Sequence, residues 1–336
     1  MTFEDFLNEW HNKEEFITAF TSGSTGEPKE IKLPKDLVKA SAERTINFFD
    51  ITNKSHLHSC VSPDFIGGKM MAVRALLSGA TLSWETPSNT PLKEFITNEN
   101  IDLLAVVPSQ MIHLVENINK LPEIKNIIIG GAPIHPDLKK KIILSGLNAF
   151  ETYGMTETAS HIALRKVLDK DIPFTILPGI QISKDENNCL IIRVDDNDEI
   201  VTNDIVDLIS EKEFFIKGRK DDVLITGGKK INPVEIEDKI AEFIPLPYLV
   251  TGFPDEKWGE KVVLIIQKNP IDFDIKELKT NLGNVLYNWE MPKEILFVKF
   301  LPKTSNDKIR RVKDPSLLSF FEPGNNPSVE GQNMPG

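Results

Sequence analysis

A run of small and hydroxyl-bearing residues near the start of the chain has the composition of a phosphate-binding loop. The segment Phe20–Lys29 contains six consecutive Gly, Ser or Thr residues and ends in Pro-Lys. Glycines let the backbone turn its N–H groups inward and hydroxyls add donors, so such a loop can surround phosphate oxygens. It differs from a Walker A motif because Lys29 follows proline and precedes no Ser or Thr. A flexible linker would share this composition, but it would explain neither the Pro-Lys ending nor the strand-like residues Phe16–Phe20.

The segment Glu151–Thr158, with the sequence ETYGMTET, offers groups that could bind a nucleotide and a cation. Tyr153 beside Gly154 provides an aromatic stacking surface. Thr156 provides a hydroxyl donor, and Glu157 provides a hard oxygen ligand for Mg²⁺. Taken alone, the segment is equally consistent with an edge strand and a turn that bind nothing.

Two further segments lie in the last third of the chain. Residues 218–237 predict a charged turn, a strand, a Gly-Gly loop and a helix that begins at Pro233 with carboxylates in its first turn. Residues 301–311 place Lys308 on a polar turn and not on a helix face. As a single signal, Lys308 is better explained as a solvated surface charge.

The elements between these segments must position them. Between residues 35 and 146, short apolar runs alternate with longer amphipathic stretches, which predicts a mainly parallel sheet covered by helices. Short β-rich runs at about 172–217 predict an antiparallel β subdomain. The predicted fold class is α/β and multi-domain, with a large N-terminal domain over 1–220, a small mixed α/β C-terminal lid over 221–318 and a disordered tail over 319–336. The helices predicted in the N-terminal part are Leu37–Phe49, Met70–Leu77, Pro91–Asn98, Ser109–Ile118 and Pro136–Leu144. The strands predicted there are Ala80–Trp84, Leu103–Val107 and Asn126–Ile129.

The composition narrows the class of partner. The chain has 336 residues, with 39 Lys and Arg against 50 Asp and Glu, and a net charge of -11. That balance argues against an extended nucleic-acid or anionic-membrane surface but allows a small anionic ligand. The acidic start is not typical of a signal peptide, and no apolar run reaches the ~18–20 residues of a spanning helix, so we expect a cytoplasmic protein without membrane insertion.

The cysteines and histidines give no sequence signal for a metal site. Cys60 and Cys189 form no CxxC pair and are expected to be free thiols. The six histidines show no ligand spacing beyond His56-x-His58 and are interpreted as surface or satisfied core residues.

In this order and spacing, the four segments resemble the adenylate-forming (AMP-binding) superfamily of acyl-CoA synthetases over about residues 16–313. The resemblance implies a large N-terminal domain, a mobile lid and a two-step reaction. A carboxylate attacks the α-phosphate of ATP·Mg²⁺ to give an acyl-adenylate and pyrophosphate, and after the lid rotates the thiol of CoA displaces AMP. ATP, Mg²⁺ and CoA are thus the implied cofactor and co-substrates, and a small carboxylic acid is the implied partner.

The resemblance also implies roles for individual residues. Lys308 matches the catalytic lysine that bridges the substrate carboxylate and the α-phosphate, and Thr156 contacts that phosphate. Glu157 matches the Mg²⁺ ligand, and Asp221 the hinge. The residues that would approach CoA are Gly227, Gly228 and Lys230. The implied nucleotide-binding residues are Thr21, Ser22, Gly23, Ser24, Thr25, Gly26, Lys29, Gly130, Gly131, Ala132, Tyr153, Gly154, Met155, Asp204 and Arg219.

One arginine bears on the acid substrate. Arg74 lies inside an apolar helix, where an unpaired guanidinium is costly. It therefore pairs with a core carboxylate, reaches the surface, or binds a second carboxylate of the substrate with Lys69 nearby. With the segment Val106–Gln110, it makes the chain most similar to the o-succinylbenzoate–CoA ligases of menaquinone biosynthesis.

Three departures from the family pattern bear on this resemblance. Asn203 and Asp307 replace glycines, and both residue types tolerate left-handed backbone. Phe65–Gly68 replaces a His-x-Ser-Gly-like sequence before the arginine. The phosphate loop begins near residue 20, so we expect a short form that lacks the usual N-terminal segment and remains active. The alternatives are another aryl- or acyl-CoA ligase, a stand-alone adenylation enzyme that loads a carrier protein, and a non-catalytic nucleotide-binding module.

Overall fold

The structure is a computed structural model that describes residues 1–20, 29–93, 100–195, 197–267, 274–302 and 309–321. The chain divides into two compact units. Unit 1 consists of Met1–Ser183, Ile191–Ile200 and Leu208–Phe215, and unit 2 consists of Lys184–Leu190, Val201–Asp207 and Ile216–Gly336. The predicted domain limits at residues 172, 217 and 221 stay predictions.

Helices are interspersed with strands over residues 3–155, and the strands over residues 149–231 then follow one another without an α-helix among the described residues. The α-helices are α1 (Phe3–His11), α2 (Lys35–Phe48), α3 (Ile66–Ser78), α4 (Pro108–Glu116), α5 (Pro136–Ser145), α6 (Pro233–Ile240) and α7 (Ile275–Val285). The strands are β1 (Phe16–Phe20), β2 (Glu30–Pro34), β3 (His56–Ser59), β4 (Thr81–Trp84), β5 (Leu103–Val106), β6 (Ile127–Ile129), β7 (Ala149–Met155), β8 (Ser160–Lys166), β9 (Phe174–Ile176), β10 (Ile180–Lys184), β11 (Cys189–Val194), β12 (Ile200–Leu208), β13 (Glu213–Arg219), β14 (Leu224–Thr226), β15 (Lys229–Ile231), β16 (Tyr248–Asp255), β17 (Gly259–Gln267) and β18 (Glu294–Val298).

A parallel sheet forms the centre of unit 1. Its strands β4, β3, β5, β6 and β7 lie side by side and pair in parallel. The central strands β5 and β6 are short, apolar and fully buried, as expected for strands that helices cover on both faces. The sheet continues through antiparallel β8 and β9, and its full order is β10-β11-β12-β13-β9-β8-β7-β6-β5-β3-β4. This arrangement confirms the α/β fold class.

Local sequence signals explain where several helices begin and end. Thr2 and Asp5 form a capping box at the start of α1. Pro136 opens α5, which ends at Gly146 in the left-handed conformation that glycine adopts without penalty. Asn232 caps α6, and Pro233 occupies its first turn. The predicted helices Pro136–Leu144 and Pro233–Ile240 are therefore confirmed.

Unit 2 contains a second sheet covered by α6 and α7. The strands follow the order β15-β14-β17-β16, and β18 pairs in parallel with β17. Apolar side chains of β16, β17, α6 and α7 form its core, among them Val250, Leu264, Ile236 and Leu282. This mixed α/β composition agrees with the predicted one.

Some elements differ from the sequence prediction. Residues 91–93 of the predicted helix Pro91–Asn98 form a turn, and the remainder lies outside the described residues. A 3-10 helix, Pro315–Phe321, extends into the segment 319–336 predicted to be disordered. Among the described residues, no helix combines the length and the apolar composition needed to cross a membrane.

Candidate active site

The carboxyl ends of neighbouring parallel strands bring two predicted nucleotide segments together in unit 1. β6 ends at Ile129, which pairs with Glu151 of β7. Residues 130–132 (Gly-Gly-Ala) therefore leave the sheet beside Thr152, whose hydroxyl donates to the Ile129 carbonyl at 3.2 Å. A Cβ on Gly130 would lie 2.9 Å from Thr152 Oγ1, so the approach of these two segments requires glycine.

A strained turn after β7 presents Thr156 and Glu157. Gly154 lies at an irregularity in the pairing of β7 with β8, and a Cβ there would collide with the backbone of Ser160. Ala159 and Ser160 have φ values of 50° and 87°. Such values cost roughly 1–3 kcal/mol each in residues other than glycine, so the surrounding structure must hold the turn. The predicted strand and turn are confirmed, but β7 is an interior strand of the sheet and not an edge.

Side chains from two elements hold this turn in place. Thr158 accepts a hydrogen bond from the Met155 N–H at 3.1 Å, and its hydroxyl donates to the Ser160 carbonyl at 2.7 Å. Ser41 of α2 donates to the Ala159 carbonyl at 2.7 Å. The half-buried Glu157 forms no ion pair within the described part of the chain, so its carboxylate fits a hard cation such as Mg²⁺.

An aromatic cluster packs against Tyr153. Its ring meets Phe214 edge-on, with centroids 5.2 Å apart, and Phe174 at 6.0 Å. Phe174 and Phe214 stack on each other, and the Arg165 guanidinium lies 4.5 Å from the Phe174 ring centroid. The cluster fixes the position of an aromatic ring near the carboxyl end of β7.

Two of the most important predicted segments lie outside the described residues. These are the phosphate loop residues 21–26 and the catalytic candidate Lys308. The strands on either side of the loop are described, and β1 pairs with β2 along its whole length. Lys29 is exposed just before β2.

Arg74 is a buried guanidinium that meets no counter-charge among the described residues. Its side chain is 1% exposed and lies on α3. One Nη donates weakly to Met71 Sδ at 3.6 Å, whereas Nε and the other Nη have no hydrogen-bond partner among the described residues. Burial lowers the pKa of Arg74 to about 9, so the group still carries its charge at neutral pH. Arg74 does not reach the surface, and no carboxylate pairs with it within the part of the chain that the structure describes.

One neighbour of Arg74 is a neutral histidine. His161 of β8 is buried, and its Nε2 forms a 2.9 Å hydrogen bond with Thr45 Oγ1. Burial, together with the positive charge of Arg74, lowers the pKa of His161 well below 6.5. Sequence reasoning missed this neighbour because Thr45, Arg74 and His161 belong to three separate elements.

Lys69 is engaged elsewhere. Its ammonium lies 3.2 Å from the Glu9 carboxylate and donates to the Thr18 carbonyl at 2.5 Å. It also lies 5.1 Å from the centroid of the Phe6 ring. Because Glu9 already neutralises this charge, Lys69 is a weaker candidate for the acid substrate than Arg74.

In unit 2, Arg219 joins two predicted site residues. It lies 3.4 Å from Asp204 and binds Asp221 through two hydrogen bonds of 3.0 and 2.8 Å. The hydrogen bond with Asp221, and then the charge of Asp204, raise the pKa of Arg219. Although burial opposes it, the Arg219 contact lowers the pKa of Asp221. The ribose and hinge candidates thus form one ion-pair network.

The Gly-Gly loop is a tight hairpin. Gly227 and Gly228 connect β14 to β15 with φ values of 53° and 78°, the left-handed backbone of a two-residue hairpin turn. The Gly227 N–H donates to the Trp258 carbonyl at 2.9 Å. Lys230 is exposed on β15.

A buried ion-pair network anchors the chain just beyond residue 308. Arg311 binds both oxygens of Glu237 on α6, at 2.5 and 2.6 Å, and lies 3.3 Å from Asp222. The Thr251 hydroxyl also donates to the Val312 carbonyl at 2.8 Å. The sequence gives no signal for this pairing because Arg311 and Glu237 are far apart along the chain.

The sequence matches a known enzyme family in two regions of the chain. Residues 8–189 match the AMP-binding enzyme family, and residues 248–308 match the AMP-binding enzyme C-terminal domain. The first match spans more than half of the chain. The chain belongs to the AMP-binding enzymes.

Individual relatives agree with this assignment. This AMP-binding enzyme is 31% identical to an acyl-CoA synthetase (AMP-forming)/AMP-acid ligase II-like protein of Dyadobacter fermentans, with 91% of this chain and 90% of that chain covered and a TM-score of 0.60. It is 26% identical to the 2-succinylbenzoate–CoA ligase of Listeria monocytogenes, over 92% of this chain and 71% of that protein. The o-succinylbenzoate coenzyme A synthetase of Bacillus subtilis, solved with ATP and a magnesium ion, shares the fold with a TM-score of 0.74 at 22% identity, covering 88% and 68% of the two chains.

The family resemblance inferred from the four segments is therefore confirmed. The chain is an adenylate-forming, AMP-forming ligase of the acyl-CoA synthetase type. The roles of the individual site residues stay predictions.

The buried His161 predicts a loss of stability in mild acid. In the unfolded chain its imidazole takes up a proton near pH 6.5, while in the folded protein the lowered pKa keeps it neutral. The unfolded state therefore binds more protons below pH 6.5, and the free energy of unfolding falls by about 1.4 kcal/mol per pH unit there. Urea denaturation between about pH 7.5 and about pH 5.5 should show the wild type losing roughly that much more than His161→Gln. An equal loss of unfolding free energy in the wild type and in His161→Gln would contradict a neutral, buried His161 in the folded protein.

Proposed function

We propose that this AMP-binding enzyme joins o-succinylbenzoate to CoA, the acid–thiol ligation of menaquinone biosynthesis. The acid and ATP form an acyl-adenylate and release pyrophosphate, and the thiol of CoA then displaces AMP to give the thioester. The similarity to the Listeria 2-succinylbenzoate–CoA ligase supports this choice of acid. The observation that carries it is the charged, buried Arg74, whose Nε and one Nη lack partners in the described chain.

The energetics of Arg74 favour a second carboxylate on the substrate. A buried charge that lacks both a counter-ion and hydrogen bonds costs several kcal/mol. A ligand carboxylate would supply the counter-charge and two acceptor oxygens in the geometry that a guanidinium fork matches. The hydrocarbon chain of a fatty acid would not compensate the free energy of burying the Arg74 charge.

The nucleotide residues of unit 1 have proposed roles that follow from their positions. Residues 130–132 border the adenine, and Tyr153 stacks on it. Thr156 donates a hydrogen bond to the α-phosphate, and Glu157 holds Mg²⁺, which when bound would offset the charge of the phosphates. The strained turn fixes the backbone of Thr156 and Glu157 before the nucleotide arrives, so little ordering remains to be done on binding.

The residues of unit 2 are proposed to act on the ribose and on CoA. Asp204 would accept hydrogen bonds from the ribose hydroxyls, while Arg219 holds that carboxylate in place from 3.4 Å. Gly227, Gly228 and Lys230 would approach CoA in the second step. Asp221, bound to Arg219, is the proposed hinge.

Two other functions remain as alternatives. An AMP-forming ligase for an apolar acid would have no use for the Arg74 charge. A stand-alone adenylation enzyme would require a carrier protein, so product formation with CoA alone would exclude it. A pyrophosphate-release panel of o-succinylbenzoate, benzoate, medium-chain fatty acids and amino acids separates these functions, and preference for a monocarboxylate would contradict the proposal.

Replacing Arg74 with an apolar residue should raise stability and remove activity. Arg74→Met deletes a buried charge that has no counter-ion in the described chain, so we expect its free energy of unfolding to equal or exceed that of the wild type. We expect kcat/KM for o-succinylbenzoate to fall by about 100-fold or more, because the charge-assisted bonds are lost and the substrate carboxylate would be buried unpaired.

Arg44 provides the matched control for this experiment. It is also buried, but it binds the Pro178 carbonyl and forms an ion pair with Asp195. Arg44→Met should therefore lower the free energy of unfolding, in contrast to Arg74→Met. If Arg74→Met loses stability as Arg44→Met does, Arg74 has a structural partner and the substrate role is wrong.

Replacing Lys308 should slow the first half-reaction and leave the second unaffected. Preorganised charge at the α-phosphate is the largest expected catalytic effect, so Lys308→Ala should slow adenylation by roughly 10²-fold or more. The same variant should convert a supplied acyl-adenylate to thioester at close to the wild-type rate. Single-turnover measurements of both steps test this, and an unchanged adenylation rate would show that another residue supplies the charge.

A further inference from the structure

A second cluster of chemically active side chains lies in unit 1, where the carboxyl ends of the parallel strands β3 and β4 meet. His58 is on β3, Cys60 follows that strand, and Glu85 follows β4. β3 and β4 pair in parallel, with His58 opposite Ser83, so both strands deliver these residues to the same edge. One ligand atom from each of His58, Cys60 and Glu85 lies within 4.8 Å of the other two.

Hydrogen bonds outside the cluster orient its ligand atoms. Ser83 Oγ lies 2.7 Å from His58 Nδ1 and 2.6 Å from His56 Nε2, which turns His58 Nε2 toward Glu85. The carboxylate oxygens of Glu85 accept the Leu92 N–H at 3.1 and 3.2 Å. Partners of this kind on the far side of each ligand are typical of metal centres, where they fix the imidazole tautomer and the ligand direction.

The His58 and Glu85 ligand atoms lie near the separation that a metal ion between them would need. His58 Nε2 lies 3.8 Å from Glu85 Oε2, which is too long for a hydrogen bond. Zinc binds nitrogen and oxygen ligands at about 2.0–2.2 Å, which places two such ligands of a tetrahedral ion about 3.4 Å apart. A contraction of about 0.4 Å would complete this pair of bonds.

We propose that His58 Nε2, Cys60 Sγ and Glu85 Oε2 form a Zn²⁺ site, with water in the fourth position. A thiolate and an imidazole select zinc over magnesium, so this site differs in chemistry from the one proposed at Glu157. His58 and Cys60 are buried, whereas the Glu85 side chain is 23% exposed and provides the route of entry. The ion would link the edge strand β4 to β3 and hold the turn between Glu85 and Leu92.

Binding at this site must release a proton. Zinc binds a thiolate, so the Cys60 thiol loses its proton to solvent as the Zn–S bond forms.

The test is a metal titration of the full-length, metal-free protein without nucleotide. After Zn²⁺ is added and the excess removed, elemental analysis should find one zinc per chain. Co²⁺ in its place should give a thiolate-to-cobalt charge-transfer band. Cys60→Ser should lose both signals, and Ser83→Ala should weaken zinc binding by roughly 10–100-fold because the orientation of His58 is lost.

Cys189 is the matched control. It is the other cysteine of the chain, is also buried and lies in unit 2. Cys189→Ser should keep full zinc and cobalt binding. If Cys60→Ser does not fold, Glu85→Gln serves in its place, with an expected loss of more than about tenfold in affinity. Failure of the wild type to retain zinc, a cobalt spectrum without a thiolate band, or equal binding by the wild type and the Cys60 and Glu85 variants would overturn the proposal.

Discussion

Hydrogen bonding between parallel strands aligns the carboxyl ends of β5, β6 and β7 along one edge of unit 1. The roles proposed for residues 130–132, Tyr153, Thr156 and Glu157 depend on that alignment, because the segments that carry them follow adjacent strands at this edge. Residues 130–132 and the turn that carries Thr156 and Glu157 follow adjacent strands, and a glycine allows the two chains to approach closely. The topology, more than any single side chain, creates the site.

The two buried arginines of unit 1 differ in whether the protein itself supplies their partners. Arg44 is held by a carbonyl and a carboxylate of the protein itself, so its charge contributes to the fold. Arg74 meets neither among the described residues, and the neutral His161 beside it offers no compensation. A protein that keeps such a group bears the cost in its unliganded state and recovers it when an anion binds.

The sequence predicts much of this fold because its signals are local. Pro136 and Gly146 delimit α5, and Asn232 with Pro233 opens α6, through capping rules that need no tertiary information. The short apolar runs that become β5 and β6 likewise predict buried parallel strands. The same rules missed β18, whose residues are all half-buried and give no clean alternation.

The parts of the site that the sequence does not predict arise from long-range contacts. The resemblance singles out Arg74 but cannot tell whether a core carboxylate meets it, since that depends on residues far along the chain. The pairing of Arg311 with Glu237, and the meeting of His58, Cys60 and Glu85, appear only when separate strands and helices come together. Spacing along the chain therefore indicates which residue types could bind or catalyse. Packing determines which of those side chains are paired within the fold and which can act on a ligand.

The bond from Ser41 to the Ala159 carbonyl joins residues 118 positions apart, and it supports a turn whose backbone is strained. Fraying of α2 would release that support, the turn would relax, and the Thr156–Glu157 backbone would lose its fixed position. A nucleotide bound at this turn, as we propose, would then oppose fraying of α2 by an equal free energy, since coupling between two such equilibria is reciprocal. Amide hydrogens of α2 should accordingly exchange more slowly with solvent deuterium when ATP is present.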